Sequence, residues 1–166
     1  MKTLKPKINI HETAFVTASF RMGDAALSKD SYAYLWSESI IEAHAKSYSK
    51  AVSSYEPYAH CLRNRYFYDT INKLMAQNNI EVLINFGCGF SMYPYLLDNS
   101  LHYIEIDKAD VVIHKKEMTS KWEKEGKLPA RNISYLEADF NLVSQDELFE
   151  QIMALKNGKK SFILLE

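Results

Sequence analysis

Two glycines and four acids stand where short apolar runs stop: Gly87 and Gly89, then Glu105 and Asp107, then Asp139, then Glu166. Glycines directly after an apolar run let the backbone turn tightly and approach a ligand that a Cβ would hold off. An acid 18 residues beyond Gly89 can accept hydrogen bonds from the two hydroxyls of a ribose. The acid at the end of the following run can border an adenine. Together they suit an adenosyl group. A pyrophosphate fingerprint needs a third glycine three residues past the second, and that position is Met92. No lysine follows in a phosphate-loop arrangement. A ligand with ribose and adenine but no phosphates, of which S-adenosylmethionine is the common one, fits better than a dinucleotide or a nucleoside triphosphate.

The elements that must carry these residues follow from the hydrophobic pattern. Ile80–Phe86 (IEVLINF) reads as a buried strand ending in Gly-Cys-Gly, and His102–Ile106 and Ile133–Ala138 as strands ending at Asp107 and Asp139. Ser161–Leu165 is a fourth strand, followed by Glu166. Between them, helices are expected over Ser91–Asp98 with Pro94 in the first turn, over Ala109–Glu125 ending at Gly126, and over Ser144–Leu155 with Ser144 and Glu147 as a capping box. Strand and helix alternating in this way argue for right-handed crossovers and a parallel sheet, so the fold class is α/β. Ligands of such sheets bind outside the carboxyl ends of the strands, which is where the glycines and acids fall. Residues 1–78 carry no period-2 strand. Helices are expected there over Ser37–Tyr48 and His60–Met75, the second with Leu62, Tyr66, Ile71, Leu74 and Met75 as its apolar stripe. The organisation is thus a helical N-terminal cap, 1–78, and an α/β half-domain, 79–166. A last strand with no helix after it leaves an open sheet edge, from which a partial chain and pairing of two copies through that edge are expected.

Composition sets the outer bounds. The 166 residues are 47% hydrophobic and 25% charged, as in one globular domain. Twenty Lys and Arg against twenty-one Asp and Glu leave no basic footprint for nucleic acid or a membrane surface. No apolar run is long enough for a membrane span, and Pro6, Asn9 and His11 interrupt any signal-peptide core. Two distant thiols, Cys61 and Cys88, fit a reduced cytoplasmic protein better than a disulfide scaffold. The five histidines have no ligand spacing with the cysteines, so no metal site is expected. Cys88 has no base near it in sequence and reads as a small residue between glycines rather than a nucleophile.

The runs ALSKDSYAYLW, RNRYFYD, LINFGCGFSMYPYLL, YIEIDKADVVIHKK, ISYLEADF and FILLE, taken together, resemble the leucine carboxyl methyltransferase family and its bacterial polyketide O-methyltransferase-like members. The resemblance covers roughly residues 14–166. It implies a Rossmann-like class I methyltransferase fold with strand order 3-2-1-4, S-adenosylmethionine as cofactor, and methyl transfer to a carboxylate or hydroxyl oxygen of a small molecule or a protein. The family's cofactor contacts fall on Lys29, Arg63, Gly87, Asp107, Asp139, Phe140 and Glu166, with Gly89 beside them admitting the methionine portion. By the same resemblance, Arg63 and Lys29 meet the methionine carboxylate, Asp107 holds the ribose, and Asp139 and Phe140 bracket the adenine. An arginine fork suits a carboxylate because it can bond both oxygens at once. Otherwise Arg63 is a helix-surface arginine paired with Asp69 or solvent.

The sequence departs from the family at Ser91, Met92 and Tyr93, where an acid, a threonine and an arginine are usual, and at Ala109, where a proline is common. His114, Lys115 and Lys116 read as a solvated helix face, although Lys115 matches a recurrent family lysine. No residue can be named as catalytic base. The alternative to an enzyme is a non-catalytic module that binds an adenosyl ligand or a partner. A nicotinamide-dependent Rossmann enzyme is disfavoured by Met92.

Overall fold

The computed structural model describes residues 10–37 and 53–165. The helix expected over Ser37–Tyr48, apart from Ser37 itself, and Glu166 lie outside the described residues. In chain order the elements are α1 (Ile10–Gly23), α2 (Ala25–Ser28), a 3-10 turn (Ala33–Trp36), α3 (Glu56–Ala76), β1 (Val82–Phe86), α4 (Tyr93–Leu96), β2 (His102–Asp107), α5 (Ala109–Lys124), β3 (Ile133–Glu137), α6 (Gln145–Lys156) and β4 (Ser161–Leu165).

The four strands form one parallel sheet in the order β3-β2-β1-β4. The central strand, β1, pairs Val82 with His102 on one side and with Ser161 on the other, which sets the register of both neighbours. Val82, Leu83 and Ile84 are all buried, as expected of a strand covered on both faces. On one face Val82, Ile84, Ile104 and Ile106 pack with Leu148 and Ile152 of α6. On the other, Leu83, Tyr103 and Leu164 pack with Ile71 of α3 and with Tyr93, Leu97 and Leu101. A third cluster joins the N-terminal segment to the sheet: Ala18 and Trp36 meet Phe90, Met92, Tyr95, Val111 and Trp122. Trp36 stacks on Phe90 at 4.2 Å and donates its indole N–H to the Met92 sulfur at 3.2 Å.

Three expectations are corrected. The helix expected over Ser91–Asp98 shrinks to Tyr93–Leu96, because the Ser91 amide bonds back to the Cys88 carbonyl at 3.1 Å and draws Ser91 and Met92 into the preceding loop. Pro94 does sit in the first turn of what remains. In α3, Leu62 and Tyr66 are exposed, and Cys61, Asn64 and Ile71 form the buried line instead. Polar Asn64 takes that position because its Nδ2 donates to the Ser28 carbonyl at 2.7 Å. Pro57 sits in the first turn of this helix. Finally, Lys115 is fully buried, so the stretch His114–Lys116 is not a solvated face. A carboxylate within the fold, Glu105, draws its ammonium inward.

Candidate functional site

β1 ends at Phe86, and Gly87 and Gly89 follow with φ of +68° and +43°. Only a residue without a Cβ takes such angles freely, so the loop can reverse over the sheet. The amides of Gly87 and Cys88 both donate to the Ile106 carbonyl, at 2.8 and 3.1 Å, and tie the loop to β2. Asp107, the last residue of β2, accepts from the Gly89 amide on Oδ2 and from the Lys108 amide on Oδ1, each at 2.8 Å. Both oxygens of a carboxylate have further lone pairs, so Asp107 can accept again from a ligand.

These residues border a cavity of about 270 Å³. Gly87, Cys88, Gly89, Phe90 and Ser91 of the loop line it, with Asp107 and Val111. Thr13, Ala14, Thr17 and Arg21 of α1 stand against it from the N-terminal segment, and Arg63 of α3 completes the wall. Arg63 is exposed, and its Nη2 lies 3.0 Å from Nδ1 of His60. Burial first, then the Arg63 charge, hold His60 below the ordinary imidazole range. Its neutral ring can therefore accept from Arg63 at Nδ1 and donate to Glu56 from Nε2, 3.2 Å away. Asp69 pairs with Arg65 at 3.5 Å.

Asp139 and Phe140, at the end of β3, are not in this wall. Lys108 links the two strand ends: its amide bonds Asp107, and its ammonium lies 3.3 Å from Asp139. The Asn141 amide and the Lys108 ammonium keep the Asp139 carboxyl below the usual range. Phe140 is half exposed, with its ring 5.9 Å from that of Phe86. Lys29 is an exposed C-cap with φ +62°, and it too lies outside the cavity wall. Glu105 is not at the surface end of its strand. It lies buried beneath the loop against Lys115. Cys88 is buried, and burial above all pushes its thiol well above the ordinary value, which leaves no thiolate for nucleophilic work.

Arg21 went unnoticed in the sequence. It is 3% exposed, ion-paired to Asp30 at 2.9 Å, and donates from Nη2 to the Phe90 carbonyl at 2.9 Å. The one available signal was its place four residues after Thr17 and eight after Thr13, on a single helical face. Nothing in the sequence marked that face as a wall.

A parallel sheet in the order 3-2-1-4, with a glycine loop after its first strand and an acid ending its second, is the arrangement of a Rossmann-like methyltransferase. The description of the leucine carboxyl methyltransferase family matches residues 18–166, and the chain belongs to that family. No curated protein compared with it matches.

Proposed function

We propose that this protein binds S-adenosylmethionine at the glycine loop and transfers its methyl group to an oxygen, of either a carboxylate or a hydroxyl. The observation that supports this most is the convergence of Gly87, Gly89, Asp107 and Arg63, from three separate elements, on one cavity at the carboxyl ends of the strands. The residues fit the group. Asp107 offers acceptors for ribose hydroxyls, and the Arg63 guanidinium suits a carboxylate. The cavity's volume, just under the usual range for a whole small-molecule ligand, suits the methionine and ribose portions. Asp139 and Phe140, beyond Lys108, would face the adenine. Lys29 would reach the carboxylate only by movement of its long exposed side chain.

When bound, the cofactor supplies a methyl carbon on a sulfonium leaving group. The protein's share is in-line positioning in a water-poor pocket. Gly87, Gly89, Asp107 and Arg63 would hold the cofactor, which would lend its methyl group and keep its sulfur as a neutral thioether. A carboxylate acceptor is already nucleophilic and needs no base. A hydroxyl acceptor must lose its proton. The acceptor is read as a small molecule or a protein carboxylate, and two free thiols suit a reduced, cytoplasmic setting. Among the described residues no helix is long and apolar enough to cross a membrane.

Calorimetric titration with S-adenosylmethionine and S-adenosylhomocysteine tests the reading, beside Asp107→Ala and Arg63→Ala. Binding that weakens at least about tenfold in each variant supports it, since one charge-assisted hydrogen bond contributes about 1.5–3 kcal/mol. Unchanged affinity in both folded variants sinks it.

A further inference from the structure

Three successive residues of the glycine loop are each held through their backbone by an ionisable side chain from a different element. The Cys88 carbonyl accepts from the Lys115 ammonium of α5 at 3.4 Å, and also from Ser91 Oγ at 2.8 Å. The Gly89 amide donates to Asp107 at 2.8 Å, and the Phe90 carbonyl accepts from Arg21 at 2.9 Å. Lys115 is the most deeply placed of the three cations and acids. It is fully buried and ion-paired with Glu105, itself 1% exposed. Asn85 Nδ2 completes the network, donating to Ser91 Oγ at 3.1 Å and to Glu105 Oε1 at 3.4 Å. Burial alone would lower the Lys115 pKa, but the acidic groups around it, Glu105 among them, more than offset it and hold it above the ordinary lysine value.

A buried ion pair is a poor way to gain stability, because apolar residues of the same volume do as well or better. What Lys115 adds that a methionine could not is a donor aimed at the loop's own backbone. We infer that Lys115, oriented by Glu105, is a positioning residue that fixes the peptide of Cys88. Gly87 and Gly89 then keep the shape that receives the cofactor, although Lys115 does not line the cavity. The inference rests on the cofactor reading above.

The test compares wild type, Glu105→Gln and the double variant Lys115→Met/Glu105→Gln, which replaces both charges by neutral groups of similar size. Each is followed by amide hydrogen exchange and by titration with S-adenosylhomocysteine. In Glu105→Gln the ammonium loses the carboxylate that orients it, so affinity falls, though by less than in the double variant. In the double variant, exchange at Gly89 accelerates and affinity falls at least about threefold, as expected for loss of one long bond to the loop, while Ile104 in the middle of β2 stays as protected as before. A purely structural role would move Ile104 along with Gly89. Wild-type exchange at Gly89, or wild-type affinity, in the folded double variant overturns the inference. Should the methionine variant not fold, Lys115→Leu in the same Glu105→Gln background makes the same comparison. Absence of binding by the wild type overturns the cofactor reading instead, and Gly89 exchange alone then decides whether Lys115 holds the loop.

Discussion

The ion pair between Arg21 and Asp30 allows a sharp prediction. The Asp30 side chain has no exposure, and Arg21 Nε lies 2.9 Å from its Oδ2. The Tyr32 amide, at 3.2 Å from Oδ1, is a further donor to it. Arg21→Met would leave a buried carboxylate with that weak bond and would also release the Phe90 carbonyl. Removing one partner of a buried pair costs about 3–5 kcal/mol. With an unfolding entropy of about 2.1 cal/mol/K per residue, 166 residues give roughly 0.35 kcal/mol/K, so Tm should fall by about 9–14 °C. One control separates this mechanism from lost packing. Arg21→Met/Asp30→Asn removes the stranded charge and should recover more than half of the loss. Differential scanning calorimetry at pH 7 measures both melting shifts. A single variant melting within ~2 °C of wild type, or a double variant no better than the single one, would refute the reasoning.

Two further outcomes are expected. Gly89→Ala places a Cβ 3.8 Å from Ala14 Cβ, which is ordinary contact, so its cost is the left-handed backbone alone. That is about 1–2 kcal/mol, or a Tm lower by roughly 3–6 °C, and a loss beyond about twice that range would show that the loop has less room than the structure gives it. Burial holds both His60 and His102 below their unfolded value near 6.5, so the unfolded chain takes up protons first as pH drops. Stability should fall between pH 7 and 5.5, above the range where carboxylates titrate, and His102→Asn should flatten that slope. An identical slope in thermal melts of the variant would count against it.

The α/β half was legible because its signals are local. Apolar runs such as VLINF and HYIEI stop at a glycine or an acid, and each break falls at the sheet's carboxyl edge, where a site must be. What stayed hidden depends on partners far away in the chain. Lys115 read as a surface charge and Arg21 and Asp30 drew no reading, since a polar residue betrays burial only through the group that satisfies it. Lys115 was masked further by exposed Lys116 beside it. Helix α1 escaped notice because its buried residues, Val16, Ala18, Phe20 and Arg21, follow no clean apolar stripe. Thr13, Ala14, Thr17 and Arg21, a third of the cavity's lining, went unread with it. Leu62 and Tyr66 misled for the opposite reason, being apolar residues left on the outside of α3 while Asn64 went in.

The place of β1 at the centre of the sheet also dictates an order of assembly. Its pairing with β2 closes 20 residues of chain, whereas its pairing with β4 closes 79. Loop-closure entropy makes the longer encounter costlier by about 1.2 kcal/mol, or roughly eightfold rarer. The β3-β2-β1 ribbon should therefore form first and β4 dock last. Until it does, one side of VLINF presents unpaired backbone on an uncharged apolar strand. That edge is where a folding chain of this protein is most exposed to capture by another copy.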